Sequence, residues 1–258
     1  MNRKYLFFDI DGTLVAGGYE HAYIPESTKA AIEQLRAAGH FLCISTGRSQ
    51  AMGLGFMEEL GFENMISDGG YGITLGGKIL GITSLPPEKV REAIREAESL
   101  GFPWGVQIDN TTSRQVPDER FYDFTHDTYM GTTVVPGLNI DDYDTFYKAY
   151  IACYYPDEYK MKTLKDLPWG RFHKEYFFIE PSDKGYGVKK IMDHFNAPYK
   201  DAIVFGDAAN DLSMFCPEWT KVAMGNAIPE LKEKADFVTT NVDQDGIWNA
   251  CVRLGLVK

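Results

Sequence analysis

The sequence predicts an α/β protein: a doubly wound, parallel, Rossmann-like core interrupted by an inserted α/β domain. Three observations carry that prediction. Over residues 1–82, short apolar runs that end in acidic, hydroxyl or glycine residues alternate with stretches of helical period. Such alternation builds a parallel sheet with right-handed crossovers. The same alternation resumes over 179–258, whereas 83–178 changes to aromatic-rich segments. The core is therefore assigned to 1–82 and 179–258, and the insert to 83–178.

The first element is Tyr5-Leu-Phe-Phe-Asp9-Ile-Asp11-Gly-Thr13-Leu14. An apolar run bounded by a Gly turn reads as a buried parallel strand. The carboxyl ends of such strands are where open α/β sheets hold ligands. Two carboxylates at i, i+2 on an ideal strand share a face. They repel one another there unless a cation neutralises them. Oxygen-only donors favour a hard cation, and Mg²⁺ suits a site that also holds phosphate. Metal-assisted phosphoryl transfer is the sharp reading. A solvated turn or a fragment of a Ca²⁺ loop is the plainer one, but a Ca²⁺ loop needs more oxygen ligands and flanking helices.

The chain then reads in order. Ile24-Pro25-Glu26-Ser27 opens a helix that Gly39 can end. His40 to Arg48 is a second apolar run, closing on Ser45-Thr46-Gly47-Arg48. A helix follows from Ser49, weakened by Gly53 and Gly55. Met65-Ile-Ser67 is a third strand and meets Asp68-Gly-Gly70. Gly72 to Ile79 nearly spells a phosphate-binding loop, but position 79 is Ile where Ser or Thr is needed. Gly76-Gly77 reads better as a hairpin turn.

Pro86 and Pro87 can start the insert's helix, which runs through Leu100. Strand candidates follow at Trp104–Ile108, Lys148–Tyr155 and Glu175–Ile179. The aromatics between them are assigned mostly to core. Over Thr83–Phe178 eleven Lys and Arg face sixteen Asp and Glu, a balance that does not advertise a pocket for a doubly anionic ligand.

After Ser182-Asp-Lys184-Gly185 a helix runs through Phe195. Ala202–Phe205 is a buried strand ending in Gly206-Asp207-Ala-Ala-Asn210-Asp211, with a helix through Phe215. A strand over Val222–Gly225, a helix over Pro229–Ala235, a strand over Phe237–Thr239 and a helix over Ile247–Leu254 complete the core.

Bulk composition narrows the partners. Net charge is −11, so no basic footprint points to nucleic acid or an anionic membrane. No run of about 18 apolar residues exists, so no membrane span is expected. The start of the chain is too soon charged for a signal peptide. Cys43, Cys153, Cys216 and Cys251 are far apart and form no CxxC, which suits single buried thiols in a reducing, cytoplasmic compartment. Asn110-Thr-Thr112 matches a glycosylation acceptor and is discounted without a secretion signal. No obligate protein partner is evident.

The residues themselves suggest roles. A phosphate ester is a dianion and needs positive charge at its transferring oxygens. Lys184, at the start of a helix, can supply it. Thr46 offers a hydroxyl, and Gly47 an open backbone N–H at a helix N-terminus. One of Asp207 and Asp211 can reach a metal while the other holds Lys184 or the metal's water.

Four strand-end signals thus stand in order: Asp9-Ile-Asp11-Gly-Thr-Leu, Ser45-Thr46-Gly-Arg, Asp183-Lys184-Gly, and Gly206-Asp207-Ala-Ala-Asn210-Asp211. In this the chain resembles the haloacid dehalogenase-like superfamily of phosphotransferases. More narrowly it is similar to the Cof-type sugar-phosphate phosphatases, whose large α/β cap is inserted between the second and third motifs. The resemblance covers essentially the whole chain. It implies that Asp9 attacks phosphorus to form a phosphoaspartyl intermediate, and that Asp11 protonates the leaving alcohol and then takes a proton from water. It implies Mg²⁺ held by the Asp9 side chain, the Asp11 backbone carbonyl and the Asp207 side chain, with Asp211 supporting from behind. It implies a phosphoryl group held by Gly12, Thr46, Gly47, Lys184 and Asn210. A small phosphorylated metabolite is the implied substrate, and the cap is expected to close over its leaving group, with Arg114, His126 and Tyr129 as polar candidates.

Two departures stand out. Ala208 occupies a position where the family usually has Gly, and Asp68-Gly69-Gly70 stands where many members have Asn-Gly-Ala. The first is harmless if the backbone there suits Ala. The second bears on substrate choice. Two other functions compete: a phosphosugar mutase of the phosphomannomutase type, and a non-catalytic metabolite-sensing module on the same fold. The intact pair Asp9 and Asp11 weighs against the module.

Overall fold

A computed structural model describes residues 2–18, 21–171 and 173–258. Two compact units emerge: Met1–Arg48, Gly53–Gly81 and Asp183–Lys258 form the first, and Ser49–Met52 with Ile82–Ser182 form the second.

The first unit begins β1 (Tyr5–Phe8), α1 (Glu26–Ala37), β2 (Phe41–Ser45), α2 (Gln50–Leu60) and β3 (Met65–Ser67). A hairpin, β4 (Gly72–Leu75) and β5 (Lys78–Ile82), follows. Gly76 and Gly77 form its turn with φ of 55° and 73°, a pair of left-handed values that only glycine takes readily. The near match to a phosphate-binding loop is thus a hairpin.

The second unit holds α3 (Pro87–Ser99), β6 (Trp104–Gln107), β7 (Ser113–Val116), α4 (Arg120–Thr125), β8 (Gly131–Val134), β9 (Lys148–Ala152), β10 (Trp169–Gly170) and β11 (Tyr176–Ile179). The chain returns to the first unit with α5 (Lys184–His194), β12 (Ala202–Gly206), β13 (Thr220–Ala223), α6 (Pro229–Lys234), β14 (Phe237–Val238) and α7 (Gly246–Arg253).

The core sheet runs β14-β13-β12-β1-β2-β3-β4-β5. Its pairs from β14 to β3 are parallel, and β4 turns antiparallel to β3. The sheet is therefore mainly parallel, with an antiparallel extension. Its centre is buried on both faces, which is why β1 reads as unbroken apolar sequence. Leu6 and Phe8 join Ile32 and Leu35 of α1 and Ile247 and Ala250 of α7. Tyr5 and Phe7 point the other way, into the cluster holding Val188, Ile191 and Met192 of α5.

The inserted cap domain carries its own mixed sheet, β10-β11-β9-β6-β7-β8. The helix α3 buries Val90, Ala93, Ile94 and Ala97 among Trp104, Val106, Ile151 and Phe177. The spacing of those four residues is the 3, 4 pattern of one helix face. A smaller cluster comprises Val116, Phe121, Tyr150, Tyr176 and Phe178. Most cap aromatics are thus core, although Tyr122, Tyr154, Tyr155 and Tyr159 are exposed.

Two elements differ from expectation. The helix expected through Phe215 is a 3-10 helix over Ala209–Met214, with Phe215 as its C-cap. The strand expected over Val222–Gly225 begins and ends two residues earlier, because it pairs in register with Ile203–Gly206. β7, β8, β10 and α4 have no counterpart in the sequence reading. Ser-Arg-Gln-Val and Gly-Thr-Thr-Val alternate half-buried and covered or exposed side chains toward one sheet edge, where apolar content is low.

Candidate active site

The strand order reverses at β1, which pairs with β2 on one side and β12 on the other. That is the switch point where an open α/β sheet leaves a crevice beyond its carboxyl ends. Asp9 follows β1, Thr46 follows β2 and Asp207 follows β12. Three stretches far apart in sequence therefore meet for a topological reason.

Lys184 joins them. It opens α5, whose N-cap is Asp183, with Oδ1 accepting from the Tyr186 N–H at 2.9 Å. The Lys184 backbone N–H donates to Ser213 Oγ at 2.9 Å, tying the helix start to the 3-10 segment. Its ammonium lies 2.5 Å from Asp9 Oδ1 and 2.6 Å from Asp211 Oδ1. All three side chains are buried. The other oxygen of Asp211 accepts from the N–H groups of Asp207 and Ala208, at 2.9 and 3.0 Å. Asp211 thus spends both oxygens on holding the lysine and the loop.

Ligand oxygens of Asp9, Asp207 and Asp211 all lie within 4.8 Å of one another. Burial, and then the Asp211 carboxylate, raise the Asp9 carboxyl well above its ordinary value. Burial and Asp211 likewise push Asp207 up to about 7. Burial alone would pull the Lys184 ammonium down, but Asp211 and Asp9 outweigh it and hold it above its usual range. Three close carboxylates with one ammonium carry more negative charge than a buried site tolerates. The cluster fits a hard divalent cation in donor chemistry and in charge. Each of the three carboxylates has a ligand oxygen in the cluster, and in Asp211 both oxygens also accept hydrogen bonds.

The surrounding backbone is shaped for close approach. Gly12 has φ +82°, and a Cβ there would stand 2.2 Å from Asp207 Oδ2. Thr13 Oγ1 donates to Asp207 Oδ1 at 3.1 Å. Asn226 Nδ2 donates to the Gly12 carbonyl at 2.8 Å, while its Oδ1 accepts from the Val242 N–H at 2.9 Å. Ala208 has φ −120° and ψ 175°, extended backbone that suits Ala, so that departure from the family pattern is accommodated. Thr46 is buried, and its hydroxyl accepts from the Arg48 N–H at 3.0 Å. The helix α2 begins four residues later with Ser49 Oγ accepting from the Met52 N–H, so neither Thr46 nor Gly47 sits at that helix's first turn. A Cβ on Gly47 would come 3.8 Å from Asn210 Nδ2, which places those two residues side by side. Asn210 Oδ1 is buried with no hydrogen-bond partner among the described residues.

Asp11 stands apart. Its carboxylate is not a member of the cluster of Asp9, Asp207 and Asp211. It accepts instead from Arg48, with Oδ2 2.9 Å from Nε and Oδ1 2.7 Å from one terminal nitrogen.

Comparison with known proteins decides the family. A family model described as haloacid dehalogenase-like hydrolase matches residues 6–251. The chain belongs to the haloacid dehalogenase-like hydrolases. Among relatives of this hydrolase, YkrA of Bacillus subtilis (strain 168), provisionally named a phosphatase, is 33% identical over 273 residues and is covered in full, as is this chain. The 5-amino-6-(5-phospho-D-ribitylamino)uracil phosphatase YwtE of the same organism is 26% identical over 277 residues, with 95% of each chain covered. A crystal structure of a protein from Geobacillus kaustophilus HTA426 superposes with a TM-score of 0.87 at 30% identity, over 99% of this chain and 100% of that one. The subclass IIB sugar phosphatase BT4131 superposes with a TM-score of 0.79 at 28% identity, over 98% and 100%. The hydrolase is a phosphatase of this superfamily.

Asp9, Asp207, Asp211 and Lys184, which the sequence predicts at one strand-end cleft, lie together. Thr13, Ser213, Asn226 and Arg48 have no role in the sequence expectation. Thr13 and Arg48 lie inside the quoted motifs, which was the available signal. Asn226 follows the Gly225 stop and carried none. In the cap of the hydrolase, Arg114 is fully buried and ion-paired with Asp127, and its guanidinium lies 4.8 to 5.3 Å from the rings of Phe121, Tyr150 and Tyr176. It serves the cap's own interior. His126 is exposed with φ 46° at the end of α4, and Tyr129 packs its ring 5.8 Å from His173.

Proposed function

We propose that this hydrolase is a Mg²⁺-dependent phosphatase that cleaves small sugar or sugar-alcohol phosphates through a phosphoaspartyl intermediate at Asp9. The observation that carries the reading is the shared ammonium of Lys184 between Asp9 and Asp211, with Asp207 beside them. Small phosphorylated metabolites are the substrate class of the family's phosphatases, and the names of two relatives support the sugar reading: one is a phosphatase for a phosphate borne by a ribityl chain, and one is a sugar phosphatase.

Asp9 and Asp207 would hold the metal, with the Asp11 carbonyl, and Asp211 keeps Lys184 and the Asp207 loop in place. When bound, Mg²⁺ neutralises charge on the transferring phosphoryl oxygens. Lys184 adds a positive charge, and Thr46, Gly47, Gly12 and Asn210 supply donors around the same group. An Asp9 oxygen attacks phosphorus; the bond from phosphorus to the leaving oxygen breaks, and that oxygen takes its electron pair and a proton from Asp11. Water then attacks phosphorus and gives a proton to Asp11. The bond from phosphorus to Asp9 breaks, and its electron pair returns to the carboxylate. One ester and one water thus become one alcohol and one phosphate.

A panel of phosphorylated metabolites, assayed for phosphate release with Mg²⁺ and with a chelator, tests this reading. Release from sugar or polyol phosphates that chelation stops and Mg²⁺ restores supports it. Full turnover in a thoroughly chelated sample would remove the metal role. A preference for non-sugar phosphates would remove the substrate class.

A further inference from the structure

We propose that Arg48 is the positioning residue for Asp11, fixing the carboxylate that receives the proton of the hydrolytic water. The inference rests on the proton-transfer role of Asp11 given above.

The side chain of Asp11 is 43% exposed, whereas that of Arg48 is 13% exposed. A half-exposed Asp on a glycine-flanked loop samples several rotamers unless something holds it. Arg48 holds it by both oxygens, at 2.7 and 2.9 Å. A two-point fork fixes orientation as well as distance, and a lysine at the same place is a point charge without that planar fork.

Arg48 is itself anchored on three sides. Its N–H donates to the Thr46 hydroxyl at 3.0 Å, and its carbonyl accepts from the Asp68 N–H at 2.9 Å. Its guanidinium lies 5.1 Å from the centre of the Phe56 ring, within the range of a cation–π contact. The anchors come from the ends of β2 and β3 and from α2. The placement of Asp11 is thereby set by the same strand ends that set the phosphate donor Thr46. Asp11 is kept outside the buried acidic cluster, where a fourth carboxylate would add repulsion.

The fork engages a carboxylate, the form in which Asp11 accepts a proton. Arg48 therefore acts chiefly on the second half of the reaction: water attacks the phosphorus of phospho-Asp9, its proton goes to Asp11, and the phosphorus–oxygen bond to Asp9 breaks with its electron pair returning to Asp9. An aryl ester such as p-nitrophenyl phosphate needs little help in the first half because its leaving group is already stable.

Rapid-quench kinetics on full-length enzyme, with excess Mg²⁺ and p-nitrophenyl phosphate, separate the two halves. Wild type, Arg48→Lys and Arg48→Ala are each compared with and without Asp11→Asn, and a thermal melt confirms that each is folded. In Arg48→Ala the burst of p-nitrophenol is expected to stay within about threefold of wild type, while steady turnover falls by about tenfold or more and phosphoenzyme accumulates. Arg48→Lys is expected to fall between the two, which keeps the test open if the alanine variant does not fold. In the Asp11→Asn background neither Arg48 substitution should reduce turnover further. An equal loss of burst and turnover, or a full additional loss in the Asp11→Asn background, overturns the inference while leaving the role of Asp11 intact. If Asp11→Asn alone leaves turnover unchanged, the role of Asp11 fails and this inference fails with it.

Discussion

Lys184 Nζ lies 2.5 Å from Asp9 Oδ1, a buried ion pair linking the residue after the first strand to the start of a helix 175 positions later. Asp211 shares the same ammonium at 2.6 Å. Removing one partner of a buried pair leaves uncompensated charge, typically costing about 3–5 kcal/mol. Lys184→Met is therefore expected to lower the melting temperature of metal-free protein, with Mg²⁺ recovering part of the loss. The kcat/KM for an aryl phosphate should fall by about 10²-fold or more, the scale of a removed transition-state donor. Calorimetry and steady-state kinetics on the same sample check both. A variant as stable and active as wild type would contradict the assignment.

The raised Asp207 carboxyl makes a pH prediction for metal-free protein. Burial and Asp211 push it from 3.8 up to about 7, so folded Asp207 keeps a proton that the unfolded chain releases. The native state then binds more protons between about pH 4 and 7, and stability falls as pH rises through that window. Other groups titrate there too, so the quantity to measure is the difference between wild type and Asp207→Asn. Wild type is expected to lose stability relative to Asp207→Asn as pH rises from 4 to 7 in chelator, and this slope should flatten with Mg²⁺. A relative gain in chelator over that range would show that the carboxyl is not raised.

Gly12 and Ala208 should respond oppositely to exchange. Gly12→Ala puts a Cβ 2.2 Å from Asp207 Oδ2 at a φ of +82°, so the loop or Asp207 must move. Strain of this sort costs about 1–3 kcal/mol, and a displaced acid should reduce Mg²⁺ affinity as well. Ala208→Gly relieves nothing, since Ala208 is already extended at φ −120° and ψ 175°. Turnover near wild type is expected for Ala208→Gly and a large loss for Gly12→Ala. Denaturant titrations and Mg²⁺ titrations of activity distinguish the two.

Asn226 ties the Gly12 carbonyl to the Val242 N–H through one side chain. Asn226→Ala frees both groups and loosens the loop that carries Asp11 and Thr13. Partners that orient metal-binding groups typically matter by about 10–100-fold in metal affinity or activity. The apparent Mg²⁺ affinity in activity titrations is expected to weaken on that scale, with a smaller change in kcat at saturating Mg²⁺. An unchanged Mg²⁺ titration would confine Asn226 to holding the loop.

Much of this site could be read from the sequence because its residues follow apolar runs. Asp9, Thr46 and Asp207 each close a buried strand, and strand ends at a switch point converge. Lys184 was legible because a glycine and a helical period follow it. The Asp11–Arg48 fork was not, since both residues were in view but their pairing depends on loop geometry. Asn226 was hidden because a surface-loop Asn has no local signature. In the cap, Arg114 read as a polar candidate although it is buried against Phe121, Tyr150 and Tyr176. Sequence marks a residue's charge, while its burial is decided by strands such as β7 that lack an apolar pattern.

The proposed function depends on phosphorylation of Asp9 during turnover. Acid quenching during turnover of an aryl phosphate, followed by mass spectrometry of the peptides, tests it most directly. A phosphoryl group is expected on Asp9, more of it in Asp11→Asn because hydrolysis lacks its base, and none in Asp9→Asn. A phosphoryl group trapped on another residue, or full turnover by Asp9→Asn, would contradict it.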